Sequence, residues 1–432
     1  MASGESQLPV FKSIPSVFSS SKWFVFGVVI SLYFISYLYR VSTAVIAPDL
    51  VKEFNIGPKD LALLSSMYFY TFALAQFPLG PALDRLGPRI MCFSLGIVAA
   101  VGAMVFAWAP TFMAAVAGRA LIGLGVSVAF MGTLKVLANW FRVNEFATMS
   151  TLGMAIGNVG ALSATVPLAL MTGWLGWRMT FLILSVMTLF SAVAIWIFVR
   201  DRPTPQPGSQ DSLFSPTSIQ ERIPIRGAFY SLIVERSFWM IACLEFFWFG
   251  TFIAIQGLWG GPYLMHIYGL SPAKAGSILA MIAIGIIFGG PILGRLSDRV
   301  FMSRKKVIIT CLGIYVILIL TMALYKDMKN TGFLYALFFL FGFMGSSGLI
   351  AVAHIKELFP LSISGTVMTC INFFTVAGGA MVMHIMGYIV KSYPQQGNVY
   401  PFAAYRAVFI FCAVGMMASI ILYSFSHERN RG

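Results

Sequence analysis

The second half of the chain repeats the first, and both halves are built of apolar stretches long enough to cross a lipid bilayer. With an offset of 214, Ala47-Pro48-Asp49-Leu50 falls on Gly261-Pro262-Tyr263-Leu264, Pro58 on Pro272, and Gly80 with Asp84-Arg85 on Gly294 with Asp298-Arg299. Farther along the offset becomes 219, aligning Gly123 with Gly342, Lys135 with His354 and Gly160 with Gly379, as an insertion near residues 326–331 would produce. A duplicated hydrophobic unit points to a carrier whose two halves enclose a site near the middle of the membrane.

Composition excludes most other classes. A chain of 432 residues that is 59% hydrophobic and 10% charged, with mean hydropathy +0.85, is too apolar for a soluble globule. One crossing needs about 20 apolar residues. Twelve such stretches begin near Trp23, Asp60, Arg89, Thr111, Glu145, Arg178, Arg236, Pro272, Lys305, Thr331, Leu361 and Phe402, six per half. The expected fold is an all-α membrane protein of twelve transmembrane helices in two pseudo-symmetric six-helix bundles, residues 23–200 and 236–426. A cytoplasmic linker, 201–235, joins them, and cytoplasmic tails occupy 1–22 and 427–432.

The net charge of +14 would suggest nucleic acid as the partner of a soluble protein. Here most of the 29 basic residues fall beside segments that are cytoplasmic if the N-terminus is, so the charge fits the positive-inside bias. No nucleic-acid partner is expected. Residues 1–22 lack the apolar core and cleavage site of a signal peptide. Cys92, Cys243, Cys311, Cys370 and Cys412 lie singly in apolar runs, so neither a metal site nor a disulfide framework is indicated, and no cofactor is expected.

Charges inside apolar stretches are candidates for function because they are costly there. Tyr33, Tyr37, Arg40 and Ala44 follow one helical face, which puts two phenols and a guanidinium together. A guanidinium at that depth suits bidentate recognition of a carboxylate, or else pairs with a structural partner. Glu245 and Gln256 lie on one face of the seventh stretch, roughly 16 Å apart. Glu245 is a candidate proton carrier, or a salt-bridge partner of Arg40 or Arg119. Gln256 aligns by the repeat with Ser42 and is expected to face the centre from the opposite half. Lys135 is expected to snorkel at the cytoplasmic end. His384, with His354, is a candidate proton site.

The loop Gly80-Pro81-Ala82-Leu83-Asp84-Arg85-Leu86-Gly87-Pro88-Arg89 resembles the signature loop of the major facilitator superfamily. Gly294-Arg295-Leu296-Ser297-Asp298-Arg299 is its weaker counterpart, and Arg119-Ala120-Leu121-Ile122-Gly123-Leu124-Gly125 is similar to the family's fourth-helix pattern. The resemblance covers essentially the whole chain. It implies an alternating-access transporter, usually monomeric, in which Gly80, Asp84, Arg85, Arg89, Asp298 and Arg299 gate the cytoplasmic side, Arg119 borders the cavity or couples to protons, and Asn158 and Asn372, on helices five and eleven, are candidate substrate contacts. Gly80 would allow close helix approach, and Asp84 would pair with a cation or helix N-terminus of the other bundle.

Residues Tyr39 to Leu50 resemble the first helix of the superfamily's anion:cation symporters and organophosphate antiporters, in which an Arg binds organic anions. Two departures matter: Tyr39 stands where many symporters have Asp, and the seventh stretch has no second Arg of the kind the phosphate antiporters use. The expectation is therefore a secondary transporter of a small organic anion or amphoteric solute in a bacterial inner membrane. Protons are the candidate coupling ion. The alternatives are a proton-coupled exporter of lipophilic cations and, from another class, a non-transporting membrane sensor; an enzyme would need a catalytic constellation that is not seen.

Overall fold

The computed structural model describes residues 21–141, 143–201, 231–326, 330–360, 363–395 and 399–428. Most of the expected linker and tails, and the Asp84 side chain, lie outside them. The chain runs as α1 Lys22–Val41, α2 Thr43–Phe54, α3 Pro58–Ala107, α4 Phe112–Val126, α5 Ala129–Trp140, α6 Val143–Ser163 and α7 Val166–Phe198. The second half follows as α8 Arg236–Ala254, α9 Gly260–Tyr268, α10 Pro272–Arg295, α11 Arg304–Leu324, α12 Thr331–Gly345, α13 Gly348–Leu358, α14 Ser364–Lys391 and α15 Phe402–Ser424. Two wide π turns, Ile255–Trp259 and Leu296–Val300, extend α8 into α9 and prolong α10. Among the described residues, ten helical segments are long and apolar enough to cross a membrane. The remaining two expected crossings fall in the more polar first part of α3 and in α6, whose described apolar stretch is Leu152–Ser163.

Local chemistry explains the breaks. Gly87, with φ of 81°, bends α3 so that a new helix starts at Pro88. Ser271, Ser303 and Asn330 each accept a backbone N–H in the first turn of the helix that follows. Ser127, Ser346 and Ser347 bond back to the carbonyls of Leu124, Phe343 and Met344 where α4 passes to α5 and α12 to α13. Such back-bonding competes with the helical ladder and loosens it. The interruptions respect the repeat: Ser42 separates α1 from α2, and Gln256, offset by 214, lies in the π turn; Ser127 and Ser346 differ by 219.

Packing repeats as well. A Cβ on Gly123 would strike the carbonyl oxygen of Tyr68, and one on Gly342 would strike that of Ile282. Tyr68 and Ile282 are themselves 214 apart, so α4 lies on α3 as α12 lies on α10. Glycine at these positions lets the backbones touch, the usual device where lipid supplies no hydrophobic drive between helices. The chain is an integral multi-pass membrane protein.

The halves meet most closely on the side away from where α1 begins, here the far side. A Cβ on Gly261 would lie 2.6 Å from the Ala44 carbonyl oxygen, and one on Gly257 3.3 Å from that of Arg40. Gly387 of α14 sits against Ala62 and the Pro58 carbonyl of α3, and Gly276 of α10 against the Thr165 backbone. On the opposite side, Phe77 and Phe373 touch at 4.7 Å between ring centroids.

Candidate functional site

Arg40 occupies the last turn of α1, beside the interruption at Ser42. Its guanidinium carbon stands 4.4 Å from the centre of the Tyr37 ring, 5.6 Å from Phe72 and 5.8 Å from Phe249. Tyr37 and Phe72 come from the first half and Phe249 from the second, so this cation sits where the halves face each other. Its Nε is buried without a hydrogen-bond partner, and among the described residues it has no ion pair. Aromatic faces attract a cation but offer no strong hydrogen-bond acceptor, and Nε is left without one. The expected shared face is present: Tyr33 donates to the Tyr37 hydroxyl at 3.1 Å. Tyr33, however, is buried against Phe130 and Gly157, so it braces Tyr37 from behind.

Arg119 is a second guanidinium without a carboxylate partner among the described residues. It is 1% exposed, donates from Nη1 to the Tyr39 carbonyl at 3.0 Å and stands over Tyr68 at 5.1 Å. Its Nε and Nη2 have no hydrogen-bond partner. It is thus packed inside the first half, one layer behind Arg40, instead of bordering a cavity. Lys135, at the other end of the same broken helix, reaches the Leu83 carbonyl at 3.1 Å.

Across the interface, Gln256 is buried in the π turn, next to the Gly257 position that meets the Arg40 carbonyl. Glu245 is fully buried. Its Oε2 accepts from Thr375 of α14 at 3.2 Å, while Oε1 has no partner. The alternative of a salt bridge to Arg40 or Arg119 is not realised among the described residues. Asn372 lies one turn before Thr375. Asn158 donates to Met154 within its own helix, at 3.0 Å. Trp248 donates to the Gly345 carbonyl at 2.7 Å, at the α12–α13 break, and belongs to the packing of the second half.

His384 is remote from both Arg40 and Glu245. Nine residues beyond Thr375, or about 13 Å along the helix, its Nδ1 pairs with the Tyr70 hydroxyl at 3.2 Å and so bridges α14 and α3. A cavity of about 160 Å³ opens between the halves on the far side, lined in part by Lys52, Trp259, His266, Gln395 and Tyr400. It lies beyond the Gly257 and Gly261 contacts, not at Arg40.

On the side opposite, the two halves fasten their loops alike. Asp201 accepts from the Arg89 backbone N–H at 2.8 Å and fills the space that a Gly87 side chain would take. The Arg89 side chain holds the Trp196 carbonyl, at 2.6 Å from Nη2. In the second half Glu428 accepts from Ser303 at 2.7 Å and from the Lys305 N–H at 3.2 Å. Burial alone would raise the Glu428 carboxyl, but these bonds, with one from the Arg304 backbone, hold it below its ordinary value. Arg304 grips Glu357 with Nε and Nη2, at 3.0 and 2.8 Å, and lies 3.4 Å from Asp298. Arg85 and Arg299 are exposed. The close approach expected at Gly80 is not made, since a Cβ there meets nothing within 4 Å. Phe72, Phe249, Thr375, Asp201 and Glu428 were not singled out by sequence, and only the charge of the last two would have marked them.

Comparison with known proteins places this geometry. Residues 29–260 and 259–432 match the model of the Major Facilitator Superfamily. A probable sulfoacetate transporter, SauU, of Cupriavidus necator is 23% identical over 83% of this chain and 82% of its own length. The hexuronate transporter of Bacillus subtilis is 24% identical over 88% and 90%. Among solved structures, the D-xylose-proton symporter superposes with a TM-score of 0.74 at 16% identity, covering 94% of this chain and 99% of that one. A bacterial homolog of the human lysosomal transporter Spinster, inward-facing and unoccupied, gives 0.72 at 15%, covering 94% and 97%.

Proposed function

The chain belongs to the Major Facilitator Superfamily and is a transporter, not an enzyme; from that premise we propose that it carries a small organic anion, with Arg40 as the group that holds the carboxylate. The observation that carries this reading is the Arg40 guanidinium, enclosed by Tyr37, Phe72 and Phe249 from both halves and lacking an anionic partner among the described residues. A half-buried cation without a counter-ion, its Nε cut off from water, is expensive, and an incoming carboxylate removes that cost through paired N–H···O bonds. Arg119, one layer behind, adds positive potential to the same region and opposes lipophilic cations. The sulfoacetate and hexuronate named for the two relatives are both organic anions, which supports the same class.

In this reading two six-helix bundles, twelve crossings in all, rock about the site. The contacts at Gly257, Gly261, Gly276 and Gly387 close the far side, and the turns bearing Gly80, Asp84, Arg85, Arg89, Asp298 and Arg299 line the opposite rim. Tyr37 and Gln256 orient the solute, with Asn158 and Asn372 as further polar groups on the flanking helices. Glu245 carries a coupled proton, supported by its burial with one unpartnered oxygen. The distribution of Lys and Arg supports cytoplasmic termini, in a bacterial inner membrane, and the protein acts as a monomer.

The test is uptake by proteoliposomes containing purified protein, with labelled glucuronate and sulfoacetate as probes. Wild-type protein concentrates at least one of them. Arg40→Ala lowers that uptake by about a hundredfold or more, as loss of one partner of a buried charged pair does. Uptake unchanged in Arg40→Ala would remove Arg40 from the site.

A further inference from the structure

Glu245 has a second neighbourhood that anion binding does not use. The phenol of Tyr423 in α15 lies within electrostatic range of Glu245 and of Glu428. That phenol is bonded to Nδ1 of His354 at 2.8 Å, and Nε2 of the same ring meets the His427 carbonyl at 3.1 Å. His354 is 1% exposed, whereas His427 and Glu428 follow the last helix at the edge of the protein. A hydrogen-bonded row therefore runs from Tyr423 through His354 to His427, with Glu245 within electrostatic range of its inner end.

We propose that His354 is a second proton-binding site, joined to Glu245 through Tyr423, and that coupled protons pass along this row to the water on the side of the chain ends. The proposal rests on the proton-coupled reading above. The bonds define its direction. A carbonyl only accepts, so the neutral ring carries its proton on Nε2 and presents Nδ1 as acceptor to the Tyr423 O–H. The Glu245 proton adds to the Tyr423 oxygen through intervening water as the phenolic proton moves to Nδ1. The charged ring that results lies within electrostatic range of the Glu428 and Glu357 carboxylates, which favour it, and of Arg304, which opposes it. It then releases the Nε2 proton to water, which leaves the Nδ1–H tautomer; the row resets when the ring turns and re-forms the Nε2–H tautomer through water, after which Tyr423 rotates its O–H back. One proton enters the row and one leaves it.

The experiment uses the full chain in proteoliposomes loaded with a pH-sensitive dye, and compares wild type, His354→Gln and Tyr423→Phe. Two quantities are read: acid-driven proton flux, and exchange of labelled for unlabelled glucuronate or sulfoacetate at equal pH. The expected result is proton flux lowered at least about tenfold in both variants, with exchange within about twofold of wild type, because Arg40 is untouched. Tyr423→Phe removes a single oxygen and carries the test if His354→Gln does not fold. Undiminished proton flux in the variants, or flux and exchange falling together in folded protein, overturns the row. A wild type that transports the acid without moving protons overturns the coupling reading and this proposal with it, a result told apart by its appearance before any substitution.

Discussion

The far-side contacts are made of backbone against backbone, so a single methyl group there should move the whole conformational equilibrium. In Gly261→Ala the new Cβ would lie 2.6 Å from the Ala44 carbonyl oxygen, nearer than real Cβ atoms come, and the atom in its way is main chain of another helix. The helices must separate. Overpacking of this kind costs about 1–3 kcal/mol, and only in the conformation where Gly261 faces Ala44. The ratio of far-side-closed to far-side-open protein should therefore fall about 5- to 150-fold. At Gly257 the corresponding distance is 3.3 Å, so Gly257→Ala needs a shift of only a few tenths of an ångström and should have a smaller effect. Gly80→Ala and Gly294→Ala meet open space and serve as controls, gaining about 0.5–1 kcal/mol of helix preference. The assay is labelling of a cysteine placed at Ala47, which lines the far-side cavity yet is buried while that side is closed, by a membrane-impermeant maleimide in a background without the five native cysteines. Labelling should accelerate in the order Gly80→Ala, Gly257→Ala, Gly261→Ala. Equal rates for Gly261→Ala and Gly80→Ala in folded protein would refute the argument that these glycines hold the far side shut.

Arg40→Lys keeps the charge but loses the planar fork and the stacking on Tyr37, so the half-saturating concentration of the transported anion should rise at least about tenfold; an unchanged value would reduce Arg40 to a point charge. Thr375→Val removes the only hydrogen bond made to Glu245 among the described residues and should cost about 1–3 kcal/mol, read as a lowered melting temperature in detergent that Thr375→Ser does not share. Glu428 has its folded-state value below the ordinary 4.5, so its stabilisation is present above that pH and lost as pH falls through the lowered value. The gap in melting temperature between wild type and Glu428→Gln should accordingly be widest near neutrality and shrink towards pH 4.

Much of the scaffold is legible in the sequence because duplication leaves its marks in residues that cannot be exchanged freely. Gly123 and Gly342 align by simple counting, and each proves to be where two backbones touch. The spacing of Tyr33, Tyr37 and Arg40 likewise places the two phenols and the guanidinium on one face. The site around Arg40 is less legible. Its walls are Phe72 and Phe249, two of 39 phenylalanines, and nothing local separates a ring facing a cation from one facing lipid. Glu245 stands out as a buried acid, but its partner Thr375 is 130 residues away, and no periodicity links them. Asp201 reads as the first residue of a polar linker, whereas it caps the helix that starts at Pro88. The close approach expected at Gly80 fails for the same reason: a glycine announces the possibility of contact, and only the arrangement of the halves decides whether it is used.

That arrangement also separates the charges in a way that bears on coupling. The two guanidinium groups that bear buried, unpartnered nitrogens among the described residues, Arg40 and Arg119, belong to the first half, while the buried carboxyl of Glu245 belongs to the second. Had Glu245 been paired with Arg40, a substrate carboxylate would have had to displace it, and the two anions would have competed for one cation. With Glu245 held by Thr375 instead, the substrate and the proton occupy different groups on different halves. Coupling then has to arise from the change of distance and dielectric between the halves as they move, since a ligand shifts an equilibrium only by its differential affinity for the two states. Substituting Glu245 by Gln should therefore leave anion binding at Arg40 within a few-fold of wild type and abolish concentrative uptake. A matching loss of binding would show instead that the two groups form a single site.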